Sequence, residues 1–101
     1  MTTLKITVLR TMVNQDLADR FCVPGSTLPC PLFTEGQEFI VEYGSAPDKF
    51  CGWAWNDIQC ACQILGQGGN FAGWSKDPDS LIRCCTDGVR PVVFEVKKIS
   101  D

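Results

Sequence analysis

LIRCCTDGVRPVVFEVKKI, residues 81–99, is the stretch that decides the fold. Its second half alternates along the chain, which predicts a strand with one buried face formed by Val92, Phe94 and Val96. The dipeptide Asp87-Gly88 favours a two-residue β-hairpin, because both central positions of that turn prefer positive φ. Two antiparallel strands are therefore expected in this part of the chain.

A helix is predicted before this hairpin, in FCGWAWNDIQCACQILGQGG, residues 50–69. Apolar residues recur there at helical spacing, and we place the helix from about Trp53 to Leu65. Glycines follow directly and are expected to end it. The face predicted to enter the core carries Trp55, Ile58, Cys62 and Leu65.

The first part of the chain predicts a strand, a short helix and a second strand. Leu4, Ile6 and Val8 alternate with other residues, which is typical of a half-buried strand. Asn14 is a candidate N-cap for a helix over 15–21, and residues 35–43 hold the next alternating segment. The predicted fold class is α+β, with the order β-α-β-α-β-β and helices packed on a mixed or antiparallel sheet.

Length and charge limit the kinds of protein this can be. The chain has 101 residues, which fits a single domain over residues 1–101. Its net charge of −3 disfavours nucleic-acid binding, which usually needs a basic face. No apolar run approaches the roughly 20 residues that span a bilayer, and the first residues are a poor signal peptide. We therefore expect a cytoplasmic protein with reduced cysteines and with no nucleic-acid or membrane partner.

Histidine is absent from the sequence, whereas cysteine is abundant. Without histidine the commonest general base near neutral pH is missing, so chemistry would use thiols, other polar groups or a cofactor. Cys51 stands at the predicted start of the main helix, where the helix dipole and free amides favour a thiolate. The seven cysteines are Cys22, Cys30, Cys51, Cys60, Cys62, Cys84 and Cys85.

Five segments carry a family resemblance: KITVLRT, CPLFTEGQEF, FCGWAWNDI, GGNF and CCTDGVRPVVF. Together they resemble an uncharacterised family of small cysteine-containing proteins of bacteria and archaea, of similar length. The resemblance covers nearly the whole chain and is most specific over residues 84–94. It implies a set of family cysteines rather than an activity, and Cys60 and Cys62 fall outside the motif. The cysteines that it implies are Cys22, Cys30, Cys51, Cys84 and Cys85.

Cysteines from separate loops form one site only if the fold brings them together. A metal site would use Cys22, Cys30, Cys51 and Cys84, although the sequence has no CxxC pair and matches no common zinc spacing. Adjacent residues on a strand point to opposite faces, so only one of Cys84 and Cys85 is expected at a shared site. The alternative is that these thiols pack as small hydrophobic residues, as we expect for the two outside the motif. The cofactor stays open between zinc, iron and none.

Acidic, basic and aromatic residues supply further candidates. Asp87 is either a turn residue or a general acid or base beside Cys85, and Asp57 could supply a proton from the main helix. Arg90 could bind a carboxylate or phosphate, or be an ordinary solvated strand residue paired with Asp87 or Glu95. Aromatic side chains are predicted either to fill the core or to line a substrate pocket; they are Trp53, Trp55, Phe71 and Trp74.

Three functions stay open on the sequence. The favoured hypothesis is a thiol redox or metal-thiolate module in which Cys51 acts with Cys22, Cys30 and Cys85. The alternative is a cofactor-independent enzyme of isomerase, lyase or cyclase type, with an aromatic pocket and acid–base groups from Asp57, Asp87 or a thiolate. A third is an interaction module with an exposed apolar patch. The expected partner is a small molecule or a redox partner protein, and the oligomeric state is left open.

Overall fold

The structure is a computed structural model that describes residues 2–25, 28–42 and 45–100. Helices and strands follow one another in these ranges in the order that the sequence predicts, so the α+β fold class is confirmed. The elements are β1 (Thr3–Thr11), α1 (Gln15–Phe21), β2 (Glu38–Glu42), α2 (Gly52–Gly66), β3 (Ser80–Cys84) and β4 (Val92–Ser100).

The strands form an antiparallel sheet in the order β2-β1-β4-β3. Ile6 in β1 pairs with Phe39 of β2 on one side and with Val96 of β4 on the other. Paired residues share a face of the sheet, so the alternating apolar residues of β1 and β4 make one continuous layer. This layer is buried as predicted, and it contains Leu4, Ile6, Val8, Val92, Phe94 and Val96.

Helix α2 covers the buried face of the sheet. Its predicted bounds, Trp53 to Leu65, are confirmed to within one residue at each end. Residues spaced three or four apart turn toward the sheet, because that spacing repeats on one side of an α-helix. Trp55 packs against the core while remaining half-buried. The buried residues of α2 are Ala54, Ile58, Ala61, Cys62 and Leu65.

The connection between β3 and β4 is longer than the predicted two-residue turn, and that prediction was wrong. Cys84 pairs with Val93, and the Cys85 amide donates to the Val92 carbonyl oxygen over 3.0 Å. The strands are therefore joined by a loop over residues 86–91, which leaves room for side chains from the loop to reach a site.

The carboxylate of Asp87 organises this loop in place of a tight turn. Its Oδ1 atom accepts the backbone N–H groups of Val89 and Arg90 over 2.9 and 3.0 Å. An Asp side chain that bonds backbone groups further along the chain stabilises a wider turn, so Gly88 has no need of the positive φ that the hairpin prediction assigned to it.

Asn14 ties the start of α1 to the same loop. Its N–H group donates to the Val89 carbonyl oxygen over 2.8 Å, and its side-chain amide donates to the Gly88 carbonyl oxygen over 2.7 Å. Asn14 occupies the predicted N-cap position of α1, but its side chain holds loop 86–91 and makes no capping hydrogen bond to the helix. Neither helix in the described ranges has the length and apolar character that crossing a bilayer requires.

Candidate functional site

Cys30, Cys51 and Cys85 come from separate parts of the chain and line one cavity of about 80 Å³. Cys30 lies in the connection from α1 to β2, Cys51 directly precedes α2, and Cys85 directly follows β3. All three are partly buried, and each packs against the hydrophobic core. The fold therefore gathers three thiols at one place at the edge of the core.

An aromatic cluster positions two of these cysteines. Phe33 lies just after Cys30 and Phe50 just before Cys51, and their ring centroids are 5.1 Å apart. Both rings also contact Phe94 of β4, with centroid distances of 5.1 and 5.7 Å. Edge-to-face and tilted ring pairs bury large apolar area with a defined geometry. The loop and the helix start are thus both held against the central sheet.

Cys85 is fixed by backbone hydrogen bonds at the end of β3. Its amide donates to the Val92 carbonyl oxygen, and the Val92 amide in turn donates to the Cys85 sulfur over 3.3 Å. The backbone bond extends the pairing of β3 and β4 by one residue, and the bond to the sulfur holds the thiol where it lines the cavity.

Cys51 is the N-cap residue of α2. Its carbonyl oxygen accepts the Trp55 amide over 2.9 Å, which is the first hydrogen bond of the helix. The backbone of Cys51 is extended, so its side chain leaves the helix axis at the N-terminal end. The prediction that Cys51 begins the main helix is confirmed.

An ion pair between Asp87 and Arg90 forms the polar side of the cavity. The Arg90 Nε–H group donates to Asp87 Oδ2 over 3.2 Å. The N–H group of Arg90, followed by that of Val89 and the Arg90 side chain, lowers the pKa of Asp87 below 3.8 despite partial burial. Asp87 is therefore ionised near neutral pH, which fits a fixed anchor for Arg90 better than a general acid.

A wider, more open cavity of about 390 Å³ adjoins the cysteine cavity. The two cavities share Trp53 and Thr86 as lining residues, and the wider one adds Asn56 and Asp57. Asp57 Oδ2 is buried, and no donor in the described part of the chain hydrogen-bonds it. A buried carboxylate oxygen without a donor is energetically unfavourable, which sets Asp57 apart from the paired carboxylate of Asp87.

Cys22 lies outside the cysteine cavity. It lines a separate cavity of about 490 Å³ together with Gly25 and Val89, and Asp87 and Arg90 line both cavities. The ion pair thus stands between Cys22 and the three gathered thiols. The prediction that Cys22 joins the shared site is not supported, because α1 ends on the far side of loop 86–91.

The four cysteines predicted as metal ligands do not form a ligand set. Within residues 2–25, 28–42 and 45–100, no three cysteine or acidic side chains are arranged to hold a metal ion. Cys84 is exposed, its thiol donates to the Cys85 carbonyl oxygen over 3.1 Å, and it lines neither of the two adjoining cavities. Burial, then the charges of Cys85 and Asp57, raise the pKa of Cys84 above 9.0.

Most of the aromatic residues predicted to line a pocket lie elsewhere. Trp55 and Phe71 are half-buried and pack against the core, and Trp74 is 83% exposed in the loop after α2. Trp53 lines both the cysteine cavity and the wider cavity. The two tryptophans of α2 diverge because residues two positions apart point to different sides of a helix.

Cys60 and Cys62 diverge in the same way. Cys62 is buried in the core, and burial raises its pKa to about 11, so it packs as a small hydrophobic residue, as predicted. Cys60 is exposed on the outer side of α2, and its predicted packing role was wrong.

Sequence reasoning missed Thr86, Asn56, Leu32 and Ala54 as residues of the two cavities. A signal for Asn56 was present, since it lies one helical turn after Trp53, next to the predicted Asp57, and shares the same side of α2. Leu32 and Thr86 lie in loops whose path the sequence pattern does not specify.

Comparison of the chain with family models, with curated proteins and with solved structures gave no match. The function must therefore be argued from the geometry of the site.

Proposed function

We propose that this protein is a small cytosolic thiol redox protein whose working thiols are Cys30, Cys51 and Cys85. The observation that carries the proposal is that three segments far apart in the chain bring these thiols to one cavity. Partly buried thiols next to polar groups and an opening to solvent are typical of redox cysteines, whereas inert structural cysteines are fully enclosed. A cytosolic location follows from the need to keep such thiols reduced.

The proposed reaction is thiol–disulfide exchange, which needs neither histidine nor a metal. The Cys51 thiolate attacks one sulfur of a disulfide substrate, the substrate S–S bond breaks, and one half leaves as a thiolate. The Cys30 or Cys85 thiolate then attacks the Cys51 sulfur of the mixed disulfide and releases the second half. Two protein thiols are oxidised to one disulfide, and the substrate disulfide is reduced to two thiols.

The test is to oxidise the protein with hydroxyethyl disulfide and to map disulfides by peptide mass spectrometry. We expect a protein disulfide between Cys51 and either Cys30 or Cys85. The Cys51→Ser variant should lose it, and Ser at the resolving position should trap the mixed disulfide on Cys51. Cys60→Ser is the matched control, since Cys60 is an exposed thiol of the same helix. Oxidation confined to Cys60 and Cys84 would contradict the proposal.

A second candidate is a cofactor-independent enzyme of isomerase, lyase or cyclase type that uses Asp57 for proton transfer. The unpaired Asp57 Oδ2 beside Trp53 favours it. Turnover by this route would survive replacement of the three thiols by serine and would be lost in Asp57→Asn. The redox proposal requires that replacing the three thiols abolish disulfide exchange and that Asp57→Asn leave exchange detectable.

A further inference from the structure

Polar groups stand on both sides of the three thiols. On one side Arg90 lines the cysteine cavity, with its Nε–H group paired to the Asp87 carboxylate and its terminal Nη groups left for a ligand. On the other side Trp53 and Thr86 lead into the wider cavity that contains Asp57. A ligand whose reactive atoms reach the thiols therefore has a cationic residue near one end and an anionic residue near the other.

Arg90 has donors to offer to a ligand. Asp87 takes its Nε–H group, and the terminal Nη groups bond no other residue in the described ranges, while 40% of the side chain is exposed. Because Asp87 is itself held by two backbone amides, the guanidinium is presented in a fixed orientation. A planar guanidinium with two free terminal nitrogens is suited to a carboxylate.

Asp57 and Trp53 are suited to an ammonium group. The Asp57 carboxylate lines the wider cavity, where its negative charge attracts a ligand ammonium group. Trp53, one helical turn earlier on the same cavity wall, is 74% exposed, and an indole face attracts cations. A neutral group lacks the ionic and cation–π attractions, and an anionic group is repelled by the carboxylate.

The sizes of the cavities decide how a ligand is divided between them. A volume of about 80 Å³ holds little more than a few atoms, far less than the ~300 Å³ or more of a pocket for drug-sized ligands. The sulfur pair of a disulfide fits such a space. The cavity of about 390 Å³ beside it can take one substituent of that disulfide.

Resting on the proposed redox function, we infer that the substrate is a small amino-acid disulfide of the cystine type. The carboxylate of one half binds Arg90, and the ammonium group of the other half binds Asp57 and Trp53. The two sulfurs between them meet the thiols of the cysteine cavity. The exchange is the balanced reaction given above, so that one disulfide is reduced to two amino-acid thiols and two protein thiols are oxidised.

Four disulfides test the inference: cystine, cystamine with ammonium groups only, dithiodipropionate with carboxylates only, and hydroxyethyl disulfide with neither. The rate at which each disulfide oxidises the protein is divided by the rate at which it oxidises a free thiol in solution. This ratio removes differences in chemical reactivity among the four disulfides. We expect cystine to exceed hydroxyethyl disulfide by roughly tenfold or more, since charge-assisted hydrogen bonds have that effect.

Substitutions of Asp57 and Arg90 test which end of the disulfide each residue binds. Relative to hydroxyethyl disulfide in the same variant, Asp57→Asn should slow oxidation by cystine and cystamine, and Arg90→Gln should slow oxidation by cystine and dithiodipropionate. Arg90→Lys keeps the positive charge near Asp87 and should lose part of the rate with cystine and dithiodipropionate. A partial loss in this conservative variant shows that the effect of Arg90→Gln does not come from a folding defect. The controls Asp16→Asn and Arg10→Gln change exposed residues that line neither cavity and should change no rate.

The possible outcomes separate the two proposals. Equal normalised rates for all four disulfides would overturn the substrate class and leave the redox function standing. If hydroxyethyl disulfide and cystine both fail to oxidise Cys51, the redox function itself is overturned.

Discussion

Asp87 shows how a single carboxylate can define a loop. It accepts two backbone N–H groups and the Nε–H group of Arg90, so both of its oxygens are occupied. These bonds hold loop 86–91 and set the position of the guanidinium at the cysteine cavity. The same residue thus links the stability of the turn to the geometry of the site.

Asp87→Asn should lower stability by about 1 kcal/mol or less at pH 7, since the ion pair is half-exposed and the amide oxygen can still accept backbone hydrogen bonds. The pKa of Asp87 in the folded protein lies below its ordinary value of 3.8. The charge of Asp87 therefore stabilises the fold above the ordinary pKa, and this contribution is lost as the pH falls through the folded-state pKa. Urea unfolding of the unchanged protein and of Asp87→Asn, at pH 7 and in the acid range, measures this difference in stability. A difference in stability that does not shrink in acid would contradict the assignment.

At the scale of elements, the end of α2 is set by its glycines. Gly68 has φ of +90°, and the amides of Gly68 and Gly69 donate to the carbonyl oxygens of Leu65 and Ile64 over 3.2 and 2.8 Å. This pair of bonds is the Schellman motif, in which a left-handed residue satisfies the last carbonyl groups of a helix.

Gly68→Ala should destabilise the protein by about 1 kcal/mol, because a Cβ atom is strained at positive φ even though space is open there. Gly52→Ala is the matched control at the other end of α2, where φ is not positive and space is also open. That change should be neutral or stabilising by about 0.5 kcal/mol. Thermal and urea unfolding should show a loss of stability for Gly68→Ala and none for Gly52→Ala; a neutral Gly68→Ala would count against the cap.

Strand β4 carries the largest buried side chain of the sheet. Phe94 is fully buried and contacts Phe33 and Phe50, which hold the loops of Cys30 and Cys51. Phe94→Ala should therefore cost about 3–5 kcal/mol. Ile82→Ala, on the edge strand β3 with a 54% exposed side chain, should stay within about 0.5 kcal/mol.

Urea unfolding measures the stability changes of Phe94→Ala and Ile82→Ala. The effect of the ring cluster on the site is measured by the reactivity of the Cys51 thiol in a folded variant, Phe94→Leu. Phe94→Leu keeps much of the volume, so it should remain folded while loosening the aromatic contacts of the two loops. Faster alkylation of Cys51 in this variant is expected. Unchanged alkylation would show that the ring cluster does not position the thiol.

At the scale of the whole molecule, the sequence predicts the fold better than it predicts the site. Strand alternation and helical spacing place Ile6, Val96 and Ile58 in the core, because period alone decides which side chains face inward. The loop 86–91 escapes such reasoning, since its shape depends on hydrogen bonds of Asp87 and Asn14 between distant segments.

For the candidate site too, the sequence predicts what depends on a helix or strand and misses what depends on the path of a loop. Cys51 could be placed at a helix start, and Cys85 rather than Cys84 turns out to face the shared cavity. The exclusion of Cys22 could not be foreseen, because it depends on which side of the Asp87–Arg90 pair the first helix ends. Loop paths set these relations, and alternation patterns carry no information about them.

Oxidation of the proposed thiols should make the folded molecule more stable. A disulfide from Cys51 to Cys30 or Cys85 would join the helix start to a distant loop or strand end and restrict the unfolded chain. Cross-links of this kind contribute about 2–4 kcal/mol, which for a domain of roughly 100 residues corresponds to a rise in Tm of about 10 °C or more. Differential scanning calorimetry of the reduced and the cystine-oxidised protein measures it. Cys60→Ser should show the full rise, and Cys51→Ser should show none. An equal rise in both variants would mean that oxidation elsewhere in the chain stabilises the fold.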